Sequence, residues 1–333
     1  AITLLLLILC YLAPYINPTI FWPIAFLGLI FPILYITNII FLIYWLIGLK
    51  KQMWPNIIIL LIGIGNIGDY IGFSDKGHIS QEKIKILSYN VRLLNKYNWI
   101  KESDVDKKII KYINQMDADI VCLQEFYPDE EDKINLKSLS RNNTNEASYL
   151  AIYSKYQHVI DTNKGQIYMD DNKNNNKYCI YSDLLIKEDT IRVYNIHLAS
   201  NWFNNSDYTF MKNPQQEIRK GVLGIIKRMK NSYVKRAEQA EMIREHINTS
   251  PHPIIICGDF NDTPLSYAYN HIKGNLTDAF NISGKGVGKS FIKIPALRID
   301  YILHNKDIKS SNYTRHNKQL SDHYPISCEI TIQ

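Results

Sequence analysis

Charge is missing from the first 49 residues. No Asp, Glu, Lys, Arg or His occurs between Ala1 and Leu49, and the first ionic groups are the adjacent Lys50 and Lys51. This excludes an ordinary solvated domain at the N-terminus, because a water-facing surface carries charged side chains. Cysteine is scarce too. The five present are Cys10, Cys122, Cys179, Cys257 and Cys328, with no CxxC pair among them. Four lie inside apolar strand-like runs, which points to buried free thiols rather than a disulfide framework or a zinc site. No nucleophile elbow and no internal repeat occurs, so neither a serine-hydrolase turn nor a solenoid is in view. The chain opens on Ala rather than Met, which leaves its true start open.

What fills the uncharged region is membrane-like material in three runs. Ile2 to about Ile16 is continuous and apolar but short of the roughly 20 residues of a full span. A signal-peptide core is the competing reading, opposed by the lack of a small-residue cleavage site before the next run. The second run, about Ile20 to Leu49, is long enough to span, with Pro23 and Pro32 in its first half where a kink is tolerated. The third, Trp54 to about Ile67, is interrupted by Gly63 and Gly65. The expectation is a membrane anchor over residues 1–76 with three transmembrane helices, two being the alternative. Lys50 and Lys51 mark the connection after the second run as cytoplasmic. Three spans then place residues 77–333 on the extracytoplasmic side of the cytoplasmic membrane, and two place them inside.

From about Gly77 strands alternate with helices. Ile84–Tyr89 and Asp119–Gln124 read as strands flanking a helix that begins near Ser103 and ends near Met116. Tyr149–Ser154, Tyr178–Ile186 and Ile191–His197 read as further strands. The polar connection 128–146 and the Asn/Asp-rich tract 170–177 read as loops. Pro214–Ile247 reads as one long or two shorter helices with Ala237, Ala240, Ile243 and Ile247 as a buried stripe. Arg298–His304 and Tyr324–Ile332 complete the strands, and a short helix follows Pro264. Alternation of this kind over some 250 residues fits one α/β domain.

The most telling stretch is Pro253-Ile254-Ile255-Ile256-Cys257-Gly258-Asp259-Phe260-Asn261. Four apolar residues make a buried strand, Gly258 allows a tight turn at its end, and Asp259 and Asn261 point the same way in extended chain. A carboxylate beside an amide can orient a water and hold a phosphate oxygen; an Asx-turn closing the strand explains the pair equally well. Other strands end similarly, in Asn90, in Gln124-Glu125 and in His197. Asp300 lies in Arg298-Ile299-Asp300-Tyr301-Ile302, and Asp322-His323 precede the last strand. Several strands each delivering Asn, Asp, Glu or His at one end imply a shared site.

The ordered set YNV, QEF, NIHL, GDFN, RIDYI and SDH resembles the endonuclease/exonuclease/phosphatase family, over roughly residues 83–333. The resemblance implies a four-layer α/β sandwich, with two mixed β-sheets flanked by helices and the site at one end. It also implies roles. Glu125, Asn90 and Asp322 would lie at a divalent metal, Mg2+ with Mn2+ as the other option, and Asn90 would help to hold the phosphate. Asp259 would orient or deprotonate the attacking water, with Asn261 fixing water and phosphate. His323 would contact a nonbridging oxygen, and Asp300 would hold its imidazole. His197 would protonate the leaving oxygen, and its presence argues against the abasic-site branch. The implied reaction is hydrolysis of a phosphate ester by one-step attack of water.

Substrate choice stays open in the sequence. The aromatic loop after His197 holds Trp202, Phe203, Tyr208 and Phe210, and the helix after it carries Arg219, Lys220, Lys227, Arg228, Lys230, Lys235 and Arg236. Either they form a substrate-facing platform, with Trp202 against substrate, or the loop packs on the core beside a solvated helix face. A membrane-tethered phosphodiesterase for lipid headgroups or other small phosphoesters is the leading expectation. A cell-surface endonuclease or exonuclease on DNA or RNA comes second, consistent with a net charge of +6. A catalytically silent binding module is third, and no protein partner is implied.

Overall fold

In the computed structural model, residues 1–74, 82–126, 136, 139–141, 149–159, 166–168, 177–201 and 218–332 are described. They cluster into two compact units that interleave along the chain. One is Ala1–Gly63 with Leu198–Glu241 and Asn261–Ile272, and the other is Ile64–His197 with Met242–Phe260 and Lys273–Gln333. The expected division into 1–76 and 77–333 follows chemistry, whereas these units follow contacts.

The strands are β1 Ile71–Phe73, β2 Ile84–Asn90, β3 Ile120–Gln124, β4 Ser140–Arg141, β5 Leu150–Ser154, β6 Gln157–His158, β7 Gln166–Tyr168 and β8 Lys177–Ile186. They continue with β9 Asp189–His197, β10 Ile254–Asp259, β11 Thr277–Asp278, β12 Lys285–Val287, β13 Asp300–His304, β14 Lys309–Arg315 and β15 Ile326–Thr331. Apart from the β1–β12 pair, they form two sheets. One runs β14-β15-β2-β3-β5-β4, and the other runs β11-β13-β10-β9-β8-β6 with β7 beside β8. Each is mixed: β2 and β3 are parallel in the first, and β9 and β10 in the second.

The inner faces meet in one apolar core. Ile84, Ile86, Ile120, Cys122 and Ile152 from the first sheet pack with Ile180, Leu184, Val193, Ile255, Cys257 and Ile302 from the second. A fully buried aliphatic side chain of this kind contributes about 1.5–3 kcal/mol. On the outer face of the first sheet lies the helix Val105–Met116, whose Val105, Ile109, Tyr112 and Ile113 are buried at the spacing of one helical stripe. On the second sheet, Tyr178 and Tyr194 meet Met242 and His246, at the end of the helix Ile218–Asn248. All five cysteines are buried and unpaired.

The strand β14 escapes the sequence reading. Its run Lys-Ser-Ser-Asn-Tyr-Thr-Arg shows no apolar alternation, yet Ser310, Ser311 and Tyr313 are buried and it completes the edge beside β15. Ser310 Oγ bonds across to His304 Nε2 on β13 of the other sheet at 2.8 Å.

The expected transmembrane helices require correction. The second run is not one span: it forms Pro18–Phe21, Pro23–Leu29 and Phe31–Ile47. Each has a proline in its first turn, where the missing N–H costs nothing; Asn17, before Pro18, is extended at ψ 124°, whereas Trp22, before Pro23, keeps helical angles. No single described helix is long and apolar enough to cross a membrane; the pair Pro23–Leu29 and Phe31–Ile47 qualifies together but bends by 66°. The third run yields Met53–Ile62 and Ile64–Ile67, separated at Gly63.

Within this segment large apolar side chains crowd the surface while two amides are buried. Asn38 and Asn56 are buried, whereas Ile36, Ile40, Ile43 and Ile47 of one helix and Trp54, Ile58 and Leu61 of another are exposed. Asn38 donates to Thr3 O and Leu34 O, and the hydroxyls of Tyr11 and Tyr35 donate to Ile59 O and Leu60 O. Phe26 stacks edge-on against Tyr233 at 5.4 Å, joining the segment to the helix Ile218–Asn248.

One buried histidine ties the fold to pH. Burial, and then the charge of Lys85, pulls the pKa of His316 down to about 4, and its Nε2 lies 2.8 Å from Ser327 Oγ. Between pH 6.5 and about 4 the unfolded chain binds this proton and the native one does not, so stability falls as pH drops through that window. Discounted for partial exposure, the loss is about 2 kcal/mol. Urea unfolding of His316→Gln from pH 7 to pH 4 is expected to lack that share of the slope.

Candidate active site

The site is delivered by strand register. At the end of β10, Asp259 lies beside His197 of β9 in parallel register and opposite Asp300 of β13 in antiparallel register. In the other sheet Asn90 of β2 pairs with Gln124 of β3, and Glu125 follows at once. Glu125 adopts a left-handed φ of 49°, which turns the chain as the strand closes. Gly258 is required where β10 approaches β9: a Cβ there would come within 2.0 Å of Ile196 O, and its φ is +148°.

Hydrogen bonds join the two sheets at this end. Asn90 Nδ2 donates to Glu125 Oε1 at 3.1 Å and to Asp259 Oδ2 at 3.0 Å. His323 Nδ1 donates to Asp300 Oδ2 at 2.9 Å, and its Nε2 lies 3.6 Å from Asp259 Oδ2. Burial by itself would lower the pKa of His323, but the carboxylates of Asp300 and Asp259 outweigh it and raise it to about 10. The ring is therefore an imidazolium at neutral pH. His197 Nε2 is buried without a hydrogen-bond partner, 3.6 Å from Glu125 Oε1 and 3.7 Å from Asp259 Oδ2.

Six of the expected residues, Asn90, Glu125, His197, Asp259, Asp300 and His323, thus converge. Asp322 turns elsewhere, pairing with Arg92 Nε at 3.1 Å and Lys293 Nζ at 3.6 Å. Asn261 belongs to the other unit, has a left-handed φ of 52°, and donates from Nδ2 to Leu198 O at 3.0 Å. Trp202, Phe203, Tyr208 and Phe210, the side chains of Arg219 and Lys220, and most of 128–146 and 170–177 lie outside the described residues.

The donor set suits a hard divalent cation. Carboxylate oxygens of Glu125 and Asp259 face one region, and Asp259, Asp300 and His323 hold potential ligand atoms within 4.8 Å of one another, so this cluster could hold a metal ion. Two details refine the expected ligands. Asn90 Oδ1 accepts from Arg92 N at 3.0 Å, so its amide presents a donor to the site. His323 has Nδ1 committed to Asp300, so only its Nε2, 3.6 Å from Asp259 Oδ2, faces the cluster.

Several supporting residues went unread in the sequence. Gln124 Nε2 donates to Asn195 Oδ1 at 2.6 Å and to Ser88 Oγ at 3.2 Å, while Asn195 Nδ2 donates to Leu123 O and Ala151 O. This buried amide chain crosses between the sheets just behind the site. Ser290 Oγ accepts from Asp300 N and Ile299 N, and Ser321 Oγ donates to Asn90 O and accepts from His323 N. Amides inside strands were the one available signal, since Gln and Asn rarely occupy sheet interiors without a partner.

Residues 87–323 match the model of the Endonuclease/Exonuclease/phosphatase family. The chain belongs to this family. Its members are phosphoric ester hydrolases that depend on divalent metals, and this chain is such an enzyme. Residues 1–70 match a second model, a domain of unknown function (DUF8431). No curated protein matches the chain.

Solved structures share the fold at low identity. A mannosyl-6-phosphatase from Bacteroides thetaiotaomicron is 16% identical with a TM-score of 0.52, covering 75% of this chain and 100% of its own. Zebrafish (D. rerio) TDP2 complexed with a single-strand DNA product is 16% identical at 0.53, covering 75% and 100%. The human nocturnin catalytic domain with a bound sulfate is 16% identical at 0.52, covering 80% and 97%.

Asn195→Ala strips partners from Gln124 and from two buried carbonyls, and an unsatisfied buried group costs about 1–3 kcal/mol. The variant is expected to lose about 2–4 kcal/mol of stability in urea unfolding; a loss under 0.5 kcal/mol would show that the inter-sheet amides are dispensable.

Proposed function

We propose that the protein is a divalent-metal-dependent phosphodiesterase, tethered to a membrane, that hydrolyses a lipid headgroup or another small phosphoester. The observation that carries this reading is the pairing of a buried imidazolium, His323, with a buried carboxylate, Asp259, at 3.6 Å. Neutral phosphodiester hydrolysis needs an oriented water, neutralised nonbridging oxygens and a proton for the leaving oxygen.

The chain's own residues cover these needs. Asp259 orients the attacking water and accepts its proton. His323 donates to a nonbridging oxygen while Asp300 holds the ring and its charge in place. Asn90 adds a neutral donor beside it. His197, whose Nε2 has no partner, protonates the leaving oxygen. Glu125, joined by Asp259, would hold the metal, Mg2+ or Mn2+, which when bound neutralises phosphoryl charge as a Lewis acid. No covalent nucleophile is required, and the buried cysteines supply none.

The exposed apolar side chains of residues 1–63 support tethering. Side chains such as Ile36, Ile40, Ile43 and Trp54 are exposed while Asn38 and Asn56 are buried, an arrangement that lipid stabilises and water penalises. Lys50 and Lys51, between the helices Phe31–Ile47 and Met53–Ile62, favour the cytoplasm for that turn, which supports an extracytoplasmic side for the hydrolase domain. A nuclease held at the cell surface is the second reading, favoured by the fold shared with a TDP2 complexed with single-strand DNA product.

Two experiments test this. With Mg2+ or Mn2+, the full chain in detergent is expected to hydrolyse bis-p-nitrophenyl phosphate, with chelation abolishing turnover. Glu125→Ala, Asp259→Ala and His323→Ala should each lower kcat/KM by about 10³-fold or more; full activity in the Glu125 and Asp259 variants would refute the mechanism. Separately, the chain should float with phospholipid vesicles, and the double variant Ile36→Asp, Ile40→Asp should weaken that binding. A reporter fused after Gln333 that signals in the cytoplasm would reject the assigned side.

A further inference from the structure

The helix Ile218–Asn248 opens with a stretch, 218–237, that holds seven Lys or Arg and no Asp or Glu. The unit it belongs to carries ten basic and five acidic residues, so five of the chain's six net positive charges lie there. A solvated helix face is ordinarily laced with both signs, four residues apart. Here the sign is uniform. The acids described in this unit are engaged or distant: Asp262 takes Arg236 at 3.0 Å, and Glu241 accepts from Asn17 and Tyr267. Glu238 lies more than two turns beyond Lys230.

Helical spacing puts two of the cations on one face with apolar side chains. Leu223, Lys227, Lys230 and Val234 recur at i, i+4, i+7 and i+11, a single stripe of an α-helix. Leu223 is 56% exposed and both lysines are exposed, whereas Met229, Tyr233 and Arg236 of the inward stripe are buried. Lys230 Nζ stands 5.7 Å from the centroid of the Trp22 ring, and Trp22 packs edge-on against Phe26. Directly before Trp22, Ile20 and Phe21 are 83% and 52% exposed, on a one-turn helix that Pro18 starts and Asn17 caps. Asn17 Nδ2 donates to Glu241 Oε1 at 2.6 Å, which ties this apolar hook to the basic helix. Lysines beside an aromatic ring, with outward leucine, isoleucine and phenylalanine, suit the headgroup level of a bilayer. The apolar groups enter the acyl boundary there while the ammoniums stay with the phosphates.

We propose that the Leu223–Val234 face of this helix, with Ile20 and Phe21, is a bilayer-surface contact that recruits anionic phospholipid. This goes beyond tethering by the exposed isoleucines of residues 1–63 and rests on the membrane reading of that segment. A zwitterionic leaflet accepts the apolar side chains but offers the lysines no net charge; an anionic one meets both. Nucleic acid, the other polyanion, would leave Ile20, Phe21 and Leu223 in water, so the lipid surface is the favoured partner.

Lipid selectivity at the protein surface tests this without turnover. The full chain is reconstituted into phosphatidylcholine vesicles with spin-labelled phosphatidylglycerol or spin-labelled phosphatidylcholine as the probe, and electron spin resonance reads the motionally restricted fraction of each. At about 10 mM salt the anionic probe is expected to associate about threefold or more over the neutral one, and about 1 M salt, where the screening length is roughly 3 Å, should bring them near equality. The double variant Lys227→Gln, Lys230→Gln should lose at least half of the preference, while Lys306→Gln, Lys309→Gln, an equal charge change in the other unit, should keep it. Equal association of the two probes at low salt, or a preference that both double variants lower alike, would overturn the proposal. So would tight binding of a single-stranded oligonucleotide that needs Lys227 and Lys230, without any lipid preference. A chain that enters the vesicles but does not favour phosphatidylglycerol loses only this contact; one that stays out of vesicles of either composition loses the tethering reading as well.

Discussion

A carboxylate sealed from water, Asp259 at 1% exposure, is the constraint around which this end of the molecule is built. Isolated burial of such a charge costs several kcal/mol, and the protein offsets it only with cations and donors placed around it. Asn90 reaches across from the other sheet, His323 supplies a positive ring, and His197 stands alongside in register. Each of these needs its own support. Asp300 holds His323, Ser290 holds the backbone of Asp300, and Ser321 links His323 to Asn90. The Ser88–Gln124–Asn195 chain then fixes the two sheet ends against each other. Rigidity follows from the demand of one buried charge.

Much of this was legible in the sequence because strand ends combine two signals. An apolar run such as Ile254-Ile255-Ile256 announces a buried strand, and a polar residue directly after it has no reason to sit there unless it is used. Four strands with that signature, β2, β3, β9 and β10, brought Asn90, Glu125, His197 and Asp259 together, while Asp300 opens β13 and His323 precedes β15. Asp322 carried the same local signal, but its partners Arg92 and Lys293 lie 230 and 29 positions away, and long-range pairing leaves no periodic trace. The inter-sheet amides were masked likewise, since Gln124 and Asn195 looked like strand termini while serving the space between sheets. Strand β14 was unreadable for the opposite reason: it has no apolar alternation, and its buried Ser310 finds its partner His304 only once the other sheet is placed.

The apolar N-terminal segment shows where a composition argument stops. Hydropathy counts residues and found a run long enough to span; backbone chemistry counts N–H groups, and Pro18, Pro23 and Pro32 divide that run into short helices. The longest, Phe31–Ile47, has 17 residues, about 25 Å at 1.5 Å per residue, against roughly 30 Å of hydrocarbon. Its neighbours are shorter still. Yet the side-chain arrangement differs from that of a water-facing bundle, with isoleucines such as Ile36, Ile40 and Ile43 on the surface and two asparagines, Asn38 and Asn56, buried among apolar side chains. Length and polarity therefore speak to separate questions. Length decides how a segment crosses or enters a bilayer, and polarity decides which solvent its surface suits.

The solved structures at 16% identity share the fold with this chain, and a fold leaves its variable chemistry to the segments that leave a rigid scaffold. In this chain the segment after β2 is the most constrained of those described. Four consecutive left-handed residues are a costly way to make a turn, and no glycine relieves them. A loop with no binding duty would relax through Gly or Asn at little cost to the fold. That Arg92 instead begins the strained run, stacked on Trp99 and sharing Asp322 with Lys293, ties the strain to the placement of a charge. The same carboxylate that pairs with the two cations is adjacent in sequence to His323, so the turn before β15 carries both the ion pair and the buried imidazole.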